Sequence, residues 1–352
     1  MLLDGLQLPL TTPFYPDGRL NLHKLEHNVA RYSKTPAAGL VALCDVGEPT
    51  LLSEEETRHV LRSVVASAAV EKVLIAGVSR DSVAGTLDLA ESAAEFGYDA
   101  VLMKCPSMLR GTGERTKELM AYFQAVGDRS ALPVVLYSSS AEGGAVLPAE
   151  VVIELAGHSK VLGMVDGSGD RERMKAIMTG TASYKRDVTV TAVFAAVTGR
   201  MQSRSEGAEA KDLILATALT EGGAAVATPS KTMAKTRTKV VGFQVLAGRT
   251  DGMFEGLKSG AVGAMPAFAA AAPQACYEVL AAWKDGDEGL AQEKQMRLQD
   301  VAARIENQMG VGGIKFGCDL NGYFGGRARL PWLPLSGEER AEIEALMQGI
   351  RN

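Results

Sequence analysis

The chain has 352 residues, of which 46% are hydrophobic and 22% are charged, so it is long enough to bury a large core as one α/β barrel or as two ordinary domains. Its formal net charge of −5 gives no general attraction to nucleic acid or to an anionic membrane surface, and we expect neither as a partner. No apolar run approaches the length of a membrane span and the N-terminus does not resemble a signal peptide, so we predict a cytoplasmic location.

Short apolar segments alternate with segments of helical periodicity along the first half of the chain. Predicted strands lie at 6–14, 37–48, 72–79, 99–106, 132–139 and 160–165. Predicted helices follow them in turn, at 20–34, 53–69, 82–97, 114–127, 148–158 and 170–179. The strands are apolar on both faces, which is typical of a parallel sheet covered by helices.

Residues that begin or end helices support three of these predictions. Ser53 is followed three residues later by Glu56, which is the spacing of a capping box at the positive end of a helix dipole. Gly97 is placed to end one helix, and Pro148 is placed to begin another. The helix boundaries at these points are therefore predicted from local chemistry as well as from periodicity.

The alternation breaks after the sixth strand and its helix. Roughly sixty residues separate that helix from the next strand, whereas connections of about 2–6 residues are usual. We predict a small ordered subdomain inserted at 180–240, and we expect its basic run at 230–241 to be exposed to solvent rather than to bind nucleic acid. Two more strands follow at 241–248 and 260–268, with a helix at 251–260 between them.

Eight strand–helix units indicate the fold class α/β, as a closed (β/α)8 TIM barrel. The barrel is expected to span residues 1–273, interrupted by the insertion at 180–240. Residues 274–352 have mostly helical periodicity and are predicted to form a C-terminal helical extension packed beside the barrel.

The cysteines and histidines give no sign of a metal or redox site. The four cysteines are far apart and form no CxxC pair, so we expect reduced, buried thiols. The four histidines lie on predicted helices or at their ends, without the clustering of a transition-metal site. The chain also has no Gly-rich nucleotide motif. We therefore predict no cofactor and no bound metal.

Several segments, taken in order, resemble one family of barrel enzymes. They include TTPFYPDGRLN at 11–21, VGEPTLLSEEE at 46–56, the segment 75–106, VLGMVDGSGD at 161–170 and GAVGAMPAFAAAAP at 260–273. They are similar to the family of dihydrodipicolinate synthase and N-acetylneuraminate lyase, which handle pyruvate through a Schiff base. The resemblance covers nearly the whole chain apart from the insertion. It implies a lyase with a small-molecule substrate, assembled as a homo-oligomer (dimer or tetramer).

Central positions of that family's machinery are altered here. The Schiff-base lysine would fall at Val165, and an alkyl side chain cannot form an imine. The Thr-Thr pair that contacts the pyruvate carboxylate would fall at Asp45–Val46, and the arginine that holds a second carboxylate would fall at or next to Glu142. Asp45 and Glu142 would put negative charge where a substrate carboxylate needs donors or cations. Condensation of pyruvate by the family's usual route is therefore not expected.

Three residues are candidates for catalysis. Tyr137, at the end of the fifth strand, matches the family and is predicted to transfer protons. The alternative is a purely structural tyrosine that fills the barrel mouth. Lys104, near the end of the fourth strand, would be nucleophilic if desolvated; alternatively, it points outward between strand and helix. Transaldolases, another family of barrel aldolases, carry their imine lysine on the fourth strand. Asp45 would supply acid–base chemistry.

Six further positions are candidates for contact with the substrate, namely Val46, Glu48, Glu142, Val165, Asp166 and Ser168. Structural roles are open for some of them, because Glu48 could bond backbone amides in a turn, and Asp166 and Ser168 could cap the next helix. The carboxylates of Asp45, Glu48 and Asp166 would also suit a divalent cation if they converged.

The preferred hypothesis is a diverged lyase that acts on a carbon–carbon or carbon–oxygen bond of a small oxo or hydroxy acid, without an imine at the strand-six position. The alternatives are an inactive barrel that binds a ligand or partner, and a metal-assisted enzyme. Convergence of Lys104, Asp45 and Tyr137 on one cavity would favour catalysis. A binding protein would instead have its barrel mouth filled by apolar side chains, namely Met103, Met108, Met164 and Val165.

Overall fold

Eight parallel strands close into a barrel in the computed structural model, which describes residues 1–110, 115–139, 146–203 and 236–350. The barrel strands are β1 (Gly5–Pro9), β2 (Gly39–Ala42), β3 (Val73–Gly77), β4 (Ala100–Met103), β5 (Val134–Ser138), β6 (Val161–Asp166), β9 (Gln244–Ala247) and β10 (Gly263–Ala264). Around the barrel, β1 to β6 follow chain order, and β9 and β10 close the ring between β6 and β1. The predicted (β/α)8 fold class is confirmed.

Helices alternate with the barrel strands and then form a C-terminal extension. The first group is α1 (Leu22–Tyr32), α2 (Glu54–Ser67), α3 (Val83–Phe96), α4 (Thr116–Arg129), α5 (Ala149–Leu155), α6 (Arg171–Gly180) and α7 (Met253–Lys258). The extension contains α8 (Pro273–Lys284), α9 (Glu288–Ala302), α10 (Gly310–Leu320) and α11 (Gly337–Leu346), and a π-helical turn at Ala303–Gln308 joins α9 to α10. Within the described residues, no helix has the length and apolar character needed to cross a membrane.

Local chemistry determines several of these boundaries as the sequence predicts. Ser53 and Glu56 form both hydrogen bonds of the capping box at the start of α2, and Gly97 ends α3 with a φ of +98°. The second strand is shorter than predicted. It stops at Ala42 because Leu43 has a φ of +59° and the chain then turns through a 3-10 segment. A left-handed residue cannot continue a strand.

The insertion contributes a two-stranded sheet outside the barrel. In this sheet β7 (Arg186–Thr191) and β8 (Thr236–Val241) pair antiparallel, and β7 buries Val188 and Val190 against Leu2. Most of β8 is exposed, in agreement with the interpretation of the basic run as solvent-facing. The rest of the insertion, residues 204–235, lies outside the described residues.

The register of three neighbouring strands determines which side chains share the barrel interior. Met103 pairs with Leu136 and Tyr137 pairs with Val165, so Lys104, one residue after Met103, continues the row that contains Tyr137 and Val165. Paired residues on adjacent strands point to the same face of a sheet. Lys104, Tyr137 and Val165 therefore lie side by side at the carboxyl ends of β4, β5 and β6.

Candidate active site at the carboxyl end of the barrel

Lys104 points into the barrel mouth and not outward between strand and helix. Its Nζ forms an ion pair with the carboxylate of Asp45, the first residue of the 3-10 turn after β2. The side chain of Lys104 is 19% exposed and that of Asp45 is 47% exposed, so the amine is the more buried partner. The Lys104 backbone N–H donates to Ser79 Oγ at 2.8 Å, which anchors the end of β4.

Tyr137 lies beside this ion pair. The centroid of its ring is 5.0 Å from Lys104 Nζ, within the range of a cation–π contact. Burial raises the pKa of the Tyr137 hydroxyl, and the nearby Cys44 and Glu306 act in the same direction. The hydroxyl therefore keeps its proton at neutral pH and is available as a hydrogen-bond donor.

A cavity of about 620 Å³ at the carboxyl ends of the strands is lined by Asp45, Lys104 and Tyr137 together. Glu306 and Trp332 of the C-terminal extension form another part of its wall. An adjoining cavity of about 590 Å³ shares Asp45, Lys104 and Trp332 with it. The volume suits a small molecule, and the location is where barrel enzymes carry out their chemistry.

Burial sets the charge state of the Lys104 amine. Desolvation lowers its pKa to about 8, and the guanidinium of Arg110 acts in the same direction. The Asp45 carboxylate opposes this shift, because it stabilises the ammonium form with which it is paired. About a tenth of the amine is consequently neutral at pH 7 and about half at pH 8, and a neutral amine is the nucleophilic form.

Glu306 is a member of this cavity that sequence reasoning missed. It lies in the π-helical turn between α9 and α10. Its Oε2 accepts hydrogen bonds from the Thr250 hydroxyl and, at 3.2 Å, from the Phe268 backbone N–H. Burial raises the pKa of Glu306 to about 7, with Asp251 adding to the shift and the Thr250 hydrogen bond opposing it. The only signal in the sequence is that Glu306 follows Ile305, which continues the buried stripe of α9.

Arginine side chains supply positive charge to the same cavity. Arg110 and Arg249 both line it. Arg249 holds Asp251 through two hydrogen bonds of 2.8 and 2.5 Å, so its charge is largely balanced. Arg110 reaches both the main and the adjoining cavity. The resemblance to the family did not point to either residue.

Glu48 has a structural position. It adopts a left-handed backbone conformation with a φ of +54°, and its side chain is 1% exposed. Its carboxylate accepts from Lys315 Nζ at 2.5 Å and from the Arg329 backbone N–H at 2.8 Å. Glu48 therefore joins the turn after β2 to the C-terminal extension, and it borders the adjoining cavity rather than the main one.

Asp166 and Ser168 form a network at the end of β6. Asp166, whose side chain is 3% exposed, pairs with Arg173 Nη1 at 2.6 Å and accepts from the Ser168 backbone N–H and hydroxyl at 3.2 and 3.1 Å. The helix cap belongs to Asp170, which accepts from the Arg173 N–H. Both Asp166 and Ser168 line a different cavity, of about 520 Å³.

The remaining sequence-predicted positions are placed as follows. Val46 is buried and lines the main cavity, and Val165 is buried in β6 beside Tyr137. Glu142 lies outside the described residues. Asp45, Glu48 and Asp166 each pair with a different cation, and the described part of the chain contains no group of three His, Cys, Asp or Glu side chains suited to hold a metal ion.

Comparison with known proteins identifies related sequences. The model of the dihydrodipicolinate synthetase family matches residues 2–187 and 222–350, and the unmatched segment lies within the predicted insertion. A 4-hydroxy-tetrahydrodipicolinate synthase from Xanthomonas axonopodis pv. citri is 33% identical over 178 residues, which is 51% of this chain and only 58% of that protein. One from Methanothrix thermoacetophila is 25% identical over 343 residues, 97% of this chain and 95% of that protein.

Solved structures share the fold. A chloride-inhibited dihydrodipicolinate synthase from Acinetobacter baumannii, complexed with pyruvate, has a TM-score of 0.76 and 21% identity, covering 99% of this chain and 100% of that chain. Dihydrodipicolinate synthase from Thermotoga maritima has a TM-score of 0.76 and 18% identity, covering 99% of both chains. At such identities the likeness concerns the architecture of the barrel.

Proposed function

Because the chain belongs to the dihydrodipicolinate synthetase family, we propose that it is a lyase that makes or breaks a carbon–carbon or carbon–oxygen bond in a small oxo or hydroxy acid. The amine that forms the imine with the substrate would be that of Lys104 on β4 instead of a lysine on β6. The observation that carries the proposal is the convergence of Lys104, Asp45 and Tyr137 on one cavity at the carboxyl ends of the barrel strands. Titratable groups that meet in such a cavity are characteristic of an active site.

The strand register supports a relocated amine. By the family resemblance Val165 stands where the family carries its lysine, and Tyr137 lies between Val165 and Lys104 in one row of the barrel. Neighbouring strands are about 4.8 Å apart, so β4 and β6 are separated by about 10 Å. The side chain of a lysine spans much of that distance. An amine on either strand can therefore reach the same substrate carbon while Tyr137 stays beside it.

The ion pair between Lys104 and Asp45 fits imine chemistry. The neutral amine would attack the substrate carbonyl carbon, and loss of water would leave a protonated imine. That cation takes the position of the ammonium group, so the Asp45 carboxylate stabilises both. Tyr137, which keeps its proton, would donate a hydrogen bond to the departing oxygen. The substrate carboxylate would bind near Arg110, whose charge also favours the neutral amine.

The alternative of an inactive binding barrel would require a mouth filled by apolar side chains. Met103, Met164 and Val165 are all buried and do not line the main cavity, and Met108 is 62% exposed. The space in front of Lys104 is therefore open. This favours the catalytic proposal.

Borohydride trapping tests the proposal. Wild-type protein is incubated with pyruvate, 2-oxobutyrate and related oxo acids in the presence of sodium borohydride, and the reduced adduct is located by peptide mass mapping. We expect the adduct on Lys104, and we expect Lys104→Met to reduce trapping to the level of a blank without oxo acid. The matched control is Lys117→Met, which removes an exposed lysine of α4 and should trap like wild type. An adduct that persists in Lys104→Met, or no adduct with any oxo acid, would refute the proposal.

A further inference from the structure

We infer that Glu306, carried by the π-helical turn of the C-terminal extension, is a second catalytic residue of this cavity that donates protons to the substrate and removes protons from it. The inference rests on the proposed function, because it assigns Glu306 to the imine chemistry of Lys104. It adds a proton carrier from a part of the chain that lies far from the barrel strands in sequence. It also narrows the substrate class to oxo acids that have a hydrogen on the carbon next to the carbonyl.

The first argument is the orientation of the carboxyl group. Glu306 lines the cavity shared by Lys104 and Tyr137. Oε2 of its carboxyl group accepts hydrogen bonds from Thr250 and Phe268. Within the ranges 1–110, 115–139, 146–203 and 236–350, no hydrogen bond involves Oε1. One oxygen is thus held in place while the other remains available to a ligand.

The second argument is the local backbone. Glu306 lies in the π-helical turn at Ala303–Gln308, which widens the helix between α9 and α10. Turns of this kind are uncommon and recur at functional sites, because the extra residue redirects a side chain. Ile305, the preceding residue, is fully buried, and Asn307, the following residue, also lines the cavity. The turn therefore presents successive residues to the core and to the cavity.

The third argument is the charge environment. The charged groups that act on Glu306 are Asp251, which favours its neutral form, and Arg249, which favours its carboxylate. These two residues are paired with each other, so their effects largely offset. Burial is the largest influence, and it raises the pKa of Glu306 to about 7. Burial raises the pKa values of Tyr137, which lines the same cavity, and of the buried Cys276, and the Glu306 carboxylate adds to both shifts.

These properties suit a group that both gives and takes a proton near neutral pH. When Lys104 adds to the carbonyl carbon, the resulting hydroxyl leaves as water and takes its proton from neutral Glu306. The products are the protonated imine, one water molecule and the Glu306 carboxylate. That carboxylate then removes a proton from the carbon next to the imine, which gives an enamine and restores neutral Glu306. Each proton that Glu306 loses in the first step is recovered in the second.

Glu306→Gln tests the inference, because glutamine keeps the shape and can still accept from Thr250 and Phe268 but cannot carry the proton. The probe is pyruvate in D2O, and the rate of deuterium exchange into its methyl group is followed by NMR alongside borohydride trapping. We expect exchange to fall by about 100-fold or more in Glu306→Gln. We also expect the inflection of the pH–rate profile near pH 7 to disappear, while the one near pH 8 that belongs to Lys104 remains. The matched control is Glu293→Gln, an exposed glutamate of α9, which should behave like wild type.

The trapping yield separates the two proposals. If Glu306→Gln forms the Lys104 adduct more slowly but to the wild-type yield on long incubation, and exchanges deuterium slowly, the inference holds and the variant is shown to be folded. If it forms the adduct and exchanges at the wild-type rate, the role of Glu306 is overturned while the proposed function stands. If wild type forms no adduct with any oxo acid, both the proposed function and the role of Glu306 in it are overturned.

Discussion

Burial in one cavity shifts the pKa values of Lys104 and Glu306 in opposite directions. Burial disfavours the charged form of any group, so the pKa of Lys104 falls to about 8 and the pKa of Glu306 rises to about 7. In water these groups would titrate about six units apart. In the cavity, neutral amine and neutral acid coexist in appreciable amounts between about pH 7 and 8, as proton transfer between substrate and protein requires.

The raised pKa of Glu306 predicts a pH dependence of stability. Its pKa rises from 4.5 to about 7 on folding. The contribution of Glu306 to the free energy of unfolding is therefore fully present below pH 4.5 and is lost as the pH rises through 7. The loss amounts to about 3 kcal/mol. Glu306→Gln lacks this pH-dependent loss. We therefore expect the free energy of unfolding of Glu306→Gln in urea, relative to that of wild type, to increase from pH 5 to pH 8.

The control for this measurement is Glu293→Gln, whose pH dependence should parallel that of wild type. Parallel curves for wild type and Glu306→Gln across the whole interval would show that Glu306 titrates at an ordinary pKa in the folded protein. That result would also weaken its assignment as a proton carrier.

At the scale of elements, a buried ion pair connects the C-terminal extension to the turn that carries Asp45. Lys315 of α10 is fully buried, and its Nζ donates to Glu48 and, at 2.9 Å, to the Arg327 carbonyl. Glu48 ends the 3-10 turn that begins at Asp45. Each member of a buried pair depends on the other, because a lone charge would remain desolvated. The pair therefore holds the Asp45 turn in register with α10.

Lys315→Met is expected to be strongly destabilising. It leaves the Glu48 carboxylate buried without its cation, which costs about 3–5 kcal/mol, and the loss is measured as the free energy of unfolding in urea. The control is Lys258→Met, which breaks a surface pair with Glu288 at 3.4 Å and should cost less than about 1 kcal/mol. A double variant, Lys315→Met with Glu48→Gln, should recover part of the loss. Equal effects of Lys315→Met and Lys258→Met would contradict the structural role of the pair.

At the scale of the whole molecule, the C-terminal extension is part of the candidate site. Glu306, Val311, Ile314 and Trp332 all belong to it, and all line the cavity that contains Lys104. The barrel strands alone would leave this cavity open on one side. The reactive groups of the strands and the proton carrier of the extension therefore meet only when both regions are folded together.

We propose a homo-oligomer, either dimer or tetramer, as the state in solution. The family resemblance supports this, and so do the exposed apolar side chains of Leu330, Trp332 and Leu333, which are 73, 56 and 79% exposed. Large apolar groups that are exposed next to one another commonly mark association surfaces. Light scattering coupled to size-exclusion chromatography should give two or four times the mass of one chain. A mass of one chain at micromolar concentration would contradict the proposal.

The sequence by itself determined those features whose causes are local. The capping box of Ser53 and Glu56 and the left-handed Gly97 act over a few residues, so their helix ends were predicted correctly. The order of apolar strands and amphipathic helices was sufficient for the barrel, because parallel strands covered by helices follow from that alternation. The absence of an amine at Val165 was likewise evident from the sequence alone.

Only the tertiary structure decided what the candidate site contains. The direction of Lys104 depended on the register of β4 against β5, which a single strand does not reveal. Glu306 lines the same cavity as Tyr137, although the two are more than 160 residues apart in the sequence. Glu48 and Lys315 form an ion pair across 267 residues. Such contacts arise when the chain closes into a barrel and its last helices pack across the mouth. Burial then shifts the pKa values, and burial is a property of the folded molecule rather than of any segment.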